Sequence, residues 1–474
     1  MSAMFLEKVR SDHLAHLSYI VGHKGKAAVI DPRRDCQAYI DIARQNGAAI
    51  THVFETHRNE DYVTGSRELA RRTGAEILHG RGFPFGFGGP VSEGDTFDFG
   101  DLRLSVLETP GHTFDSISLV LRDMSSGEAP VAVFTGDSLF IGDVGRTDFY
   151  PDRREEVAGL LYDSIFGKLL PLGDQVILYP AHGAGSVCGS GMAQREFSTL
   201  GHERGHNPAL RLARDEFVRR KARERHPFPD YFREMEELNA EGSDRPLCEI
   251  REPRPLDAEE FARMMADGRT QVLDVRSVES FAGAFVPGSL AMPAQLVSGY
   301  AGFLLDYERL ILLIADGLEE VDSARVQLLR MGYDKVEGWL SGGLAAWETA
   351  GREYESIPAV HVDELVRRIK AKEDFTLLDV RTPEEVEQGM LPGARHIFLG
   401  ELRDRLGEIP RDRPVTTFCG SGQRAIVAAS ILKGHGFEQV EDSLGSMAAC
   451  QSRGCPVVKP GPSGKAGKTR REVA

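Results

Sequence analysis

The stretch FCGSGQRAIVAAS (Phe418–Ser430) sets a cysteine at the mouth of a glycine-rich loop that runs into a helical pattern. Cys419 is followed by Gly420, Ser421, Gly422 and Gln423, and then by Arg424. Successive backbone N–H groups in such a loop, backed by a helix N-terminus, make an anion-binding nest. That field favours a thiolate, suits the terminal sulfur of a cysteine persulfide, and is joined by the positive charge of Arg424 for an anionic acceptor. A second set of polar residues lies far upstream. The loops THRNEDYVTG (Thr56–Gly65), TPGHTFDSIS (Thr109–Ser118), FTGDSLF (Phe134–Phe140) and YPAHGAGS (Tyr179–Ser186) each follow an apolar run and carry histidine or aspartate. Each could place a metal ligand at a strand end, or could serve only to cap and hydrogen-bond its own loop.

The elements that must hold these residues are legible as patterns. Over the first 250 residues, short β-type runs (KAAVIDP, AEILHG, LRLSVLETP, APVAVFTGD, QVILYPAHG) alternate with helical or glycine-rich stretches. An α/β or sandwich domain is expected there. A linker is expected from Lys221 to Asp257, where HPFPDYF and REPRPLD mark breaks. The remainder holds an internal repeat of about 105 residues. VLDVRSVESFAGAFVPGSLAMP (Val272–Pro293) echoes LLDVRTPEEVEQGMLPGARHIF (Leu377–Phe398), and LLRMGYDKVEGWLSGGLAAW (Leu328–Trp347) echoes ILKGHGFEQVEDSLGSMAAC (Ile431–Cys450). Strand and helix candidates alternate in both copies, so each is expected to be an α/β domain on a parallel sheet. The final residues, 461–474, read as a disordered tail.

Composition narrows the function classes. With 57 basic and 72 acidic residues the net charge is −15, which argues against a nucleic-acid partner. No apolar run reaches the length of a membrane span, and the opening residues lack the apolar core of a signal peptide. The six cysteines (36, 188, 248, 419, 450 and 455) are scattered without a CxxC pair, so a cytoplasmic protein with reduced thiols is expected.

The upstream loops are similar to those of the metallo-β-lactamase superfamily, whose pattern is HxHxDH, then a distant His, an Asp and a last His. His57, Asp61, His112, Asp137 and His182 match, whereas Asn59 and Tyr62 stand where the family has histidines. The resemblance implies an αββα sandwich over residues 1–250. Without the Tyr62-position imidazole the second metal position of the family is expected to be lost. His57, His112 and Asp137 then remain as two histidines and one carboxylate, the facial set suited to non-haem Fe(II) and O₂. One Fe(II) per chain is expected, with Zn or Mn as the alternative metal. Asp61 and His182 are expected to orient groups around the metal, and Tyr62 either to donate a hydrogen bond or to pack against the site. The match is to the persulfide dioxygenases of this superfamily, which oxidise a thiol persulfide with O₂ to sulfite. A zinc thioester hydrolase of the glyoxalase II type and a non-enzymatic sulfur carrier are the competing readings.

The two repeats resemble rhodanese domains, sulfurtransferases that carry sulfane sulfur on a cysteine. The LDVR strand, the PG segment and LSGGLAAW carry the likeness. Protein phosphatases also pair a cysteine loop with an arginine, but with one residue more than the four (Gly420–Gln423) found here. Rhodanese domains are therefore expected at 254–354 and 356–460. Counting back from Gly332 and Gly436 aligns Cys419 with Ala315 and Arg424 with Glu320. The first copy thus lacks both nucleophile and cation, and is expected to be a spacer or docking module. Together the resemblances imply a persulfide dioxygenase–sulfurtransferase fusion acting in sulfide detoxification. Its small partners would be a low-molecular-weight thiol persulfide, O₂, and sulfite or thiosulfate. A homodimer or higher homo-oligomer is compatible with the superfamily.

Overall fold

Period-two alternation of apolar residues builds two six-stranded sheets in the first half of the chain. The computed structural model describes residues 4–459 apart from Asp12, Val187, Cys188, Ser190, Pro227, Asp230 and Ser243, so the 461–474 tail lies outside the described residues. The first sheet runs in sequence order through β1 (Phe5–Ser11), β2 (His16–His23), β3 (Lys26–Ile30), β4 (Ala49–Glu55), β5 (Glu76–Gly80) and β6 (Gly89–Val91). The second contains β7 (Thr96–Phe99), β8 (Leu102–Glu108), β9 (Ile117–Asp123), β10 (Pro130–Gly136), β11 (Ile177–Pro180) and β12 (Ser198–Thr199), ordered β12-β11-β10-β9-β8-β7. Leu17, Tyr19, Val21, Ala28 and Ile30 of one sheet meet Leu102, Leu104, Val106, Leu119 and Leu121 of the other in a shared core. The intervening residues face outward. Ile20, Val29 and Val53 pack on Tyr39, Ile40 and Leu69 of the helices Gln37–Gln45 and Ser66–Thr73. Val120, Val133 and Leu178 pack on Leu161, Ile165 and Phe217. Helices cover both outer faces, so this half is the αββα sandwich.

The stretch expected as a linker is not one. It contains the helix Tyr231–Glu241, which buries Tyr231, Phe232, Met235 and Asn239. Those four positions fall on one helical face. Prolines and charges on either side of the helix obscure that stripe in the sequence.

Both repeats form parallel sheets. The first holds β13 (Arg254–Leu256), β14 (Thr270–Asp274), β15 (Leu290–Ala291), β16 (Leu310–Ile314) and β17 (Val336–Leu340), ordered β13-β17-β16-β14-β15. The second holds β18 (Thr376–Asp379), β19 (Arg395–His396), β20 (Val415–Phe418) and β21 (Val440–Asp442), ordered β19-β18-β20-β21. In each, the LDVR segment ends in a buried ion pair. Arg276 holds Asp274 at 2.5 Å and also donates to the Ala284 carbonyl; Arg381 holds Asp379 at 2.7 Å and donates to the Gly389 carbonyl. The pair fastens the end of that inner strand to the next loop. The chain divides into two compact units, Met1–Ile250 with Val326–Asp334, and Arg251–Arg325 with Lys335–Ala474. Among the described residues no helix is long and apolar enough to cross a membrane.

Candidate metal centre and thiol loop

His57, His112, Asp137 and His182 each stand within a few residues of a strand end: β4 for His57, β8 for His112, β10 for Asp137 and β11 for His182. Strand ends of the two facing sheets therefore bring together residues far apart in sequence. Gly136 permits the approach. Its φ is +53°, and a Cβ there would lie 2.6 Å from Thr56 Oγ1, so neither the conformation nor the space suits a side chain.

His57, His112 and Asp137 are all buried, and one ligand atom from each lies within 4.8 Å of the others. Asp137 Oδ2 is 3.8 Å from His57 Nε2 and 3.6 Å from His112 Nε2. Among the described residues, His57 Nε2 and Asp137 Oδ2 make no hydrogen bond. The other ring nitrogens explain the orientation. Asp31 accepts from the Thr56 backbone N–H at 2.7 Å and from Thr56 Oγ1 at 2.8 Å. Thr56 Oγ1, its proton committed to Asp31, is left to accept from His57 Nδ1 at 2.9 Å. His112 Nδ1 donates to the Arg146 carbonyl at 3.0 Å. In neutral rings both arrangements put the lone pair on Nε2, facing the shared space. Two imidazole nitrogens and one carboxylate converging in a buried site fit a metal ion.

The electrostatics agree. Burial works against charge on Asp137, but His182, His57 and His112 outweigh it and hold the carboxyl well below its usual range. For His112, burial is overcome by Glu60 and Asp137, and its pKa is raised. Glu60 Oε1 lies 3.3 Å from His112 Nε2, and its own pKa is lowered, burial being outweighed by His112. Burial lifts Asp31 to about 6, against the pull of His57 and the Thr56 hydrogen bonds.

His182 and Asp61, the two groups expected to orient the site, lie beside Asp137. His182 donates through Nδ1 to Asp137 Oδ1 at 2.7 Å, and its Nε2 is 3.2 Å from Asp61 Oδ2. Burial alone would lower its pKa, yet Asp137 and Asp61 raise it well above the ordinary value. Tyr62 is fully buried with its ring 4.1 Å from that of His16, and among the described residues its hydroxyl makes no hydrogen bond. It packs rather than donates.

Sequence reasoning missed three contributors. Glu60 sits inside a loop already singled out, yet its contact is to a histidine on another strand. Asp31 acts through Thr56. Asn239, on the helix Tyr231–Glu241, accepts from the Thr64 N–H at 2.9 Å and donates to the carbonyls of Asn59 and Tyr62 at 2.8 and 2.7 Å. It pins the backbone of the Thr56–Gly65 loop, and nothing in its local sequence signals that role.

The thiol loop is built by the same logic in the second repeat. Cys419 follows β20 directly and is fully buried. The carbonyls of Cys419 and Gly420 accept from the N–H groups of Met447 and Ala448, at 3.0 and 2.8 Å. This turns the loop carbonyls outward. The Gly422 N–H donates to Cys419 Sγ at 3.1 Å, and Gly422, with φ +99°, starts the helix Gln423–Gly434. The sulfur thus lies at a nest and near a helix N-terminus. Gly420 is partly exposed and Ser421 exposed on the outside of the loop. Arg424 is not an unpaired cation: its guanidinium holds both oxygens of Glu385, at 2.6 and 2.7 Å. A cleft of about 270 Å³ beside the loop is lined by Arg381, Glu385, Gly420, Met447 and Ala448 among others. Burial and the Cys455 thiol push the Cys450 thiol up, away from reactivity.

In the first repeat the equivalent loop is closed from within. Ala315 follows β16, and the Asp316 N–H donates to Glu320 Oε2 at 2.8 Å. A carboxylate of the chain itself occupies a backbone donor of the loop.

Comparison with known proteins accords with this anatomy. The metallo-beta-lactamase superfamily profile matches residues 12–182, and the rhodanese-like domain profile matches 257–350 and 361–453. Mouse persulfide dioxygenase ETHE1, mitochondrial (Mus musculus), is 30% identical over 221 residues, 43% of this chain and 74% of the relative. The crystal structure of a metallo-beta-lactamase from Staphylococcus aureus subsp. aureus COL superposes with a TM-score of 0.64 at 30% identity, covering 72% of this chain and 99% of the other. The chain belongs to the metallo-beta-lactamase superfamily and carries two rhodanese-like domains. A sulfurtransferase of Allochromatium vinosum is 37% identical over 98 residues, 21% of this chain and 92% of the relative. For this superfamily member, similarity to a persulfide dioxygenase and to a sulfurtransferase thus coexists in one polypeptide.

Proposed function

We propose that the chain oxidises a low-molecular-weight thiol persulfide with O₂ and passes sulfane sulfur from Cys419 to sulfite. The observation that supports the reading is a buried His-His-Asp set, with His182 held between Asp137 and Asp61 beside it. Among the described residues no second group of three ligands stands beside it for a hydrolytic pair of zinc ions. His57, His112 and Asp137 would hold one Fe(II), which when bound supplies the electrons that activate O₂. The protein's share is orientation: Asp31 and Thr56 fix the His57 ring, the Arg146 carbonyl fixes His112, and Asn239 fixes the loop between them. The balanced reaction is RSSH + O₂ + H₂O giving RSH, sulfite and two protons.

At the second centre the Cys419 thiolate takes sulfur from a donor to become a persulfide. Sulfite attacks the outer sulfur, an S–S bond forms to give thiosulfate, and the bond to Cys419 breaks with its electron pair returning to the cysteine. The Gly422 N–H stabilises negative charge on the cysteine sulfur before and after that step. Sulfite made at one site is consumed at the other, so the fusion raises its effective concentration.

The test is metal analysis of anaerobically prepared protein with O₂ uptake on a panel of persulfides. One iron per chain and uptake lost in His57→Ala, with thiosulfate sulfurtransferase activity retained, are expected. In Cys419→Ser, uptake persists and the product changes from thiosulfate to sulfite. Two zinc ions per chain and no O₂ uptake would overturn the reading.

A further inference from the structure

The helix Ser446–Arg453, whose first-turn amides hold the Cys419 and Gly420 carbonyls, stops at a pair of cysteines. Gly454 follows it in the left-handed region, with φ +65°, and its N–H reaches the Gln451 carbonyl at 3.4 Å. The Cys455 N–H then donates to the Cys450 carbonyl at 3.0 Å. These two bonds make a Schellman stop, which lays the side chain after the glycine against the one five positions earlier. Here both of those residues are cysteines, and both are free thiols. Cys450 is buried in the core of the second repeat with Phe418 and Met447. Cys455 packs against the same cluster but keeps part of its surface in water. Beyond Cys455 the chain returns to the thiol loop. Val458 and Met390 exchange backbone hydrogen bonds at 2.8 and 2.9 Å, and a Cβ on Gly389 would lie 2.3 Å from Val457 Cγ1. Gly389, Gln451 and Val457 line the cleft beside that loop.

We propose that Cys450 and Cys455 form a reversible dithiol–disulfide site, closed by a low-molecular-weight disulfide, and that closure staples the Cys455–Val458 wall of the cleft to the helix holding the Cys419 loop. Cys455, the part-exposed partner, attacks the oxidant RSSR as a thiolate, giving Cys455–S–SR and RS⁻. Cys450 then attacks the Cys455 sulfur. The Cys450–Cys455 bond forms, and the second RS⁻ leaves with the electron pair of the broken S–S bond. The two cysteine protons end on two RSH; the cysteines give up two electrons and RSSR takes them. Burial and the neighbouring Cys455 thiol hold the Cys450 thiol protonated, which shields it from direct attack on an oxidant. Once Cys455 carries SR the second of these effects is gone, and the fixed contact supplies the proximity that a slow thiol needs. The site needs neither a metal nor a reactive Cys419.

The test treats the full chain with a glutathione disulfide series, blocks the remaining thiols with N-ethylmaleimide and maps tryptic peptides by mass. Trypsin cuts after Arg453, between the two cysteines, so closure leaves two peptides joined until dithiothreitol separates them. That joined pair and the loss of two titratable thiols are expected. Amide hydrogen exchange at Val457 and Val458 should slow roughly tenfold on oxidation and recover on reduction. Cys450→Ala should stop at a glutathione adduct on Cys455. Cys455→Ser, a change at a part-exposed position that leaves the core intact, should take up no glutathione at Cys450. Absence of the joined peptides across the whole series overturns the site, and so does a bond from either thiol to Cys419 instead. Exchange at Val457 and Val458 that oxidation leaves unchanged overturns the staple.

Discussion

Replacing Asn239 with leucine tests whether the helix Tyr231–Glu241 holds the candidate metal loop. The substitution keeps the number and branching of side-chain heavy atoms and removes one acceptor and two donors. It strands the Thr64 N–H and the carbonyls of Asn59 and Tyr62, which Asn239 meets at 2.9, 2.8 and 2.7 Å. Asn239 is 2% exposed, so water cannot take over these bonds without local opening. Each stranded buried group costs about 1–3 kcal/mol, but the three share one loop and do not add in full. A loss of about 3–5 kcal/mol is expected, equivalent to a drop of roughly 6–20 °C in the melting temperature of a unit this size. Because the loop carries His57 and Asp61, iron affinity should fall about 10–100-fold as well. Calorimetry of the full chain, with and without Fe(II), reads both effects in the transition that metal shifts. Glu237→Ala, on the exposed side of the same helix, is the reference and should change stability by less than about 0.5 kcal/mol. Should Asn239→Leu melt within a degree of that reference and bind iron as well, the reasoning is refuted.

Two further outcomes are expected. Burial raises the Asp442 carboxyl to about 7, so folding holds a proton that the unfolded chain has already released; stability should fall as pH rises from about 4 to about 7. Asp442→Asn removes that dependence and should gain up to about 4 kcal/mol over the parent at pH 8 but almost nothing at pH 4, and a difference in urea midpoint that does not change with pH would contradict this. Ala315→Cys in a Cys419→Ser background should not restore transfer from thiosulfate to cyanide, because the Glu320 carboxylate already occupies the Asp316 N–H at 2.8 Å and disfavours a thiolate beside it. Substantial recovery in that assay would show that the missing thiol alone silences the repeat.

What could be read from the sequence was whatever has a local period or a local shape. The alternation of Leu17, Tyr19 and Val21, or of Leu102, Leu104 and Val106, declares strands and their inward faces. The LDVR echo and the glycine loop declare the repeat. The strand-end loops already pointed to His57, His112 and Asp137, which the fold brings together. What stayed hidden depends on pairings across long separations. Asn239 meets Asn59 across 180 positions, and Glu385 meets Arg424 across 39. No periodicity encodes such a meeting. The helix Tyr231–Glu241 was read as linker for a related reason: its four buried positions are a short stripe between prolines, and their partner surface lies on a distant loop. Arg424 read only as a positive charge for an anionic acceptor, because its carboxylate partner sits in the opening turn of another helix, Pro383–Glu387.

The depth of Cys419 has a kinetic consequence. Its side chain is fully buried, and a cleft of about 270 Å³ lies beside its loop. On the proposed route the sulfur waits on Cys419 as a persulfide, a covalent intermediate between donor and acceptor. The donor must leave its sulfur and depart before the acceptor enters, so the transfer is a double displacement with parallel lines in a double-reciprocal plot. Between the two visits the chain itself is the only carrier, and the lifetime of the stored sulfur is set by how seldom a competing thiol can enter that cleft.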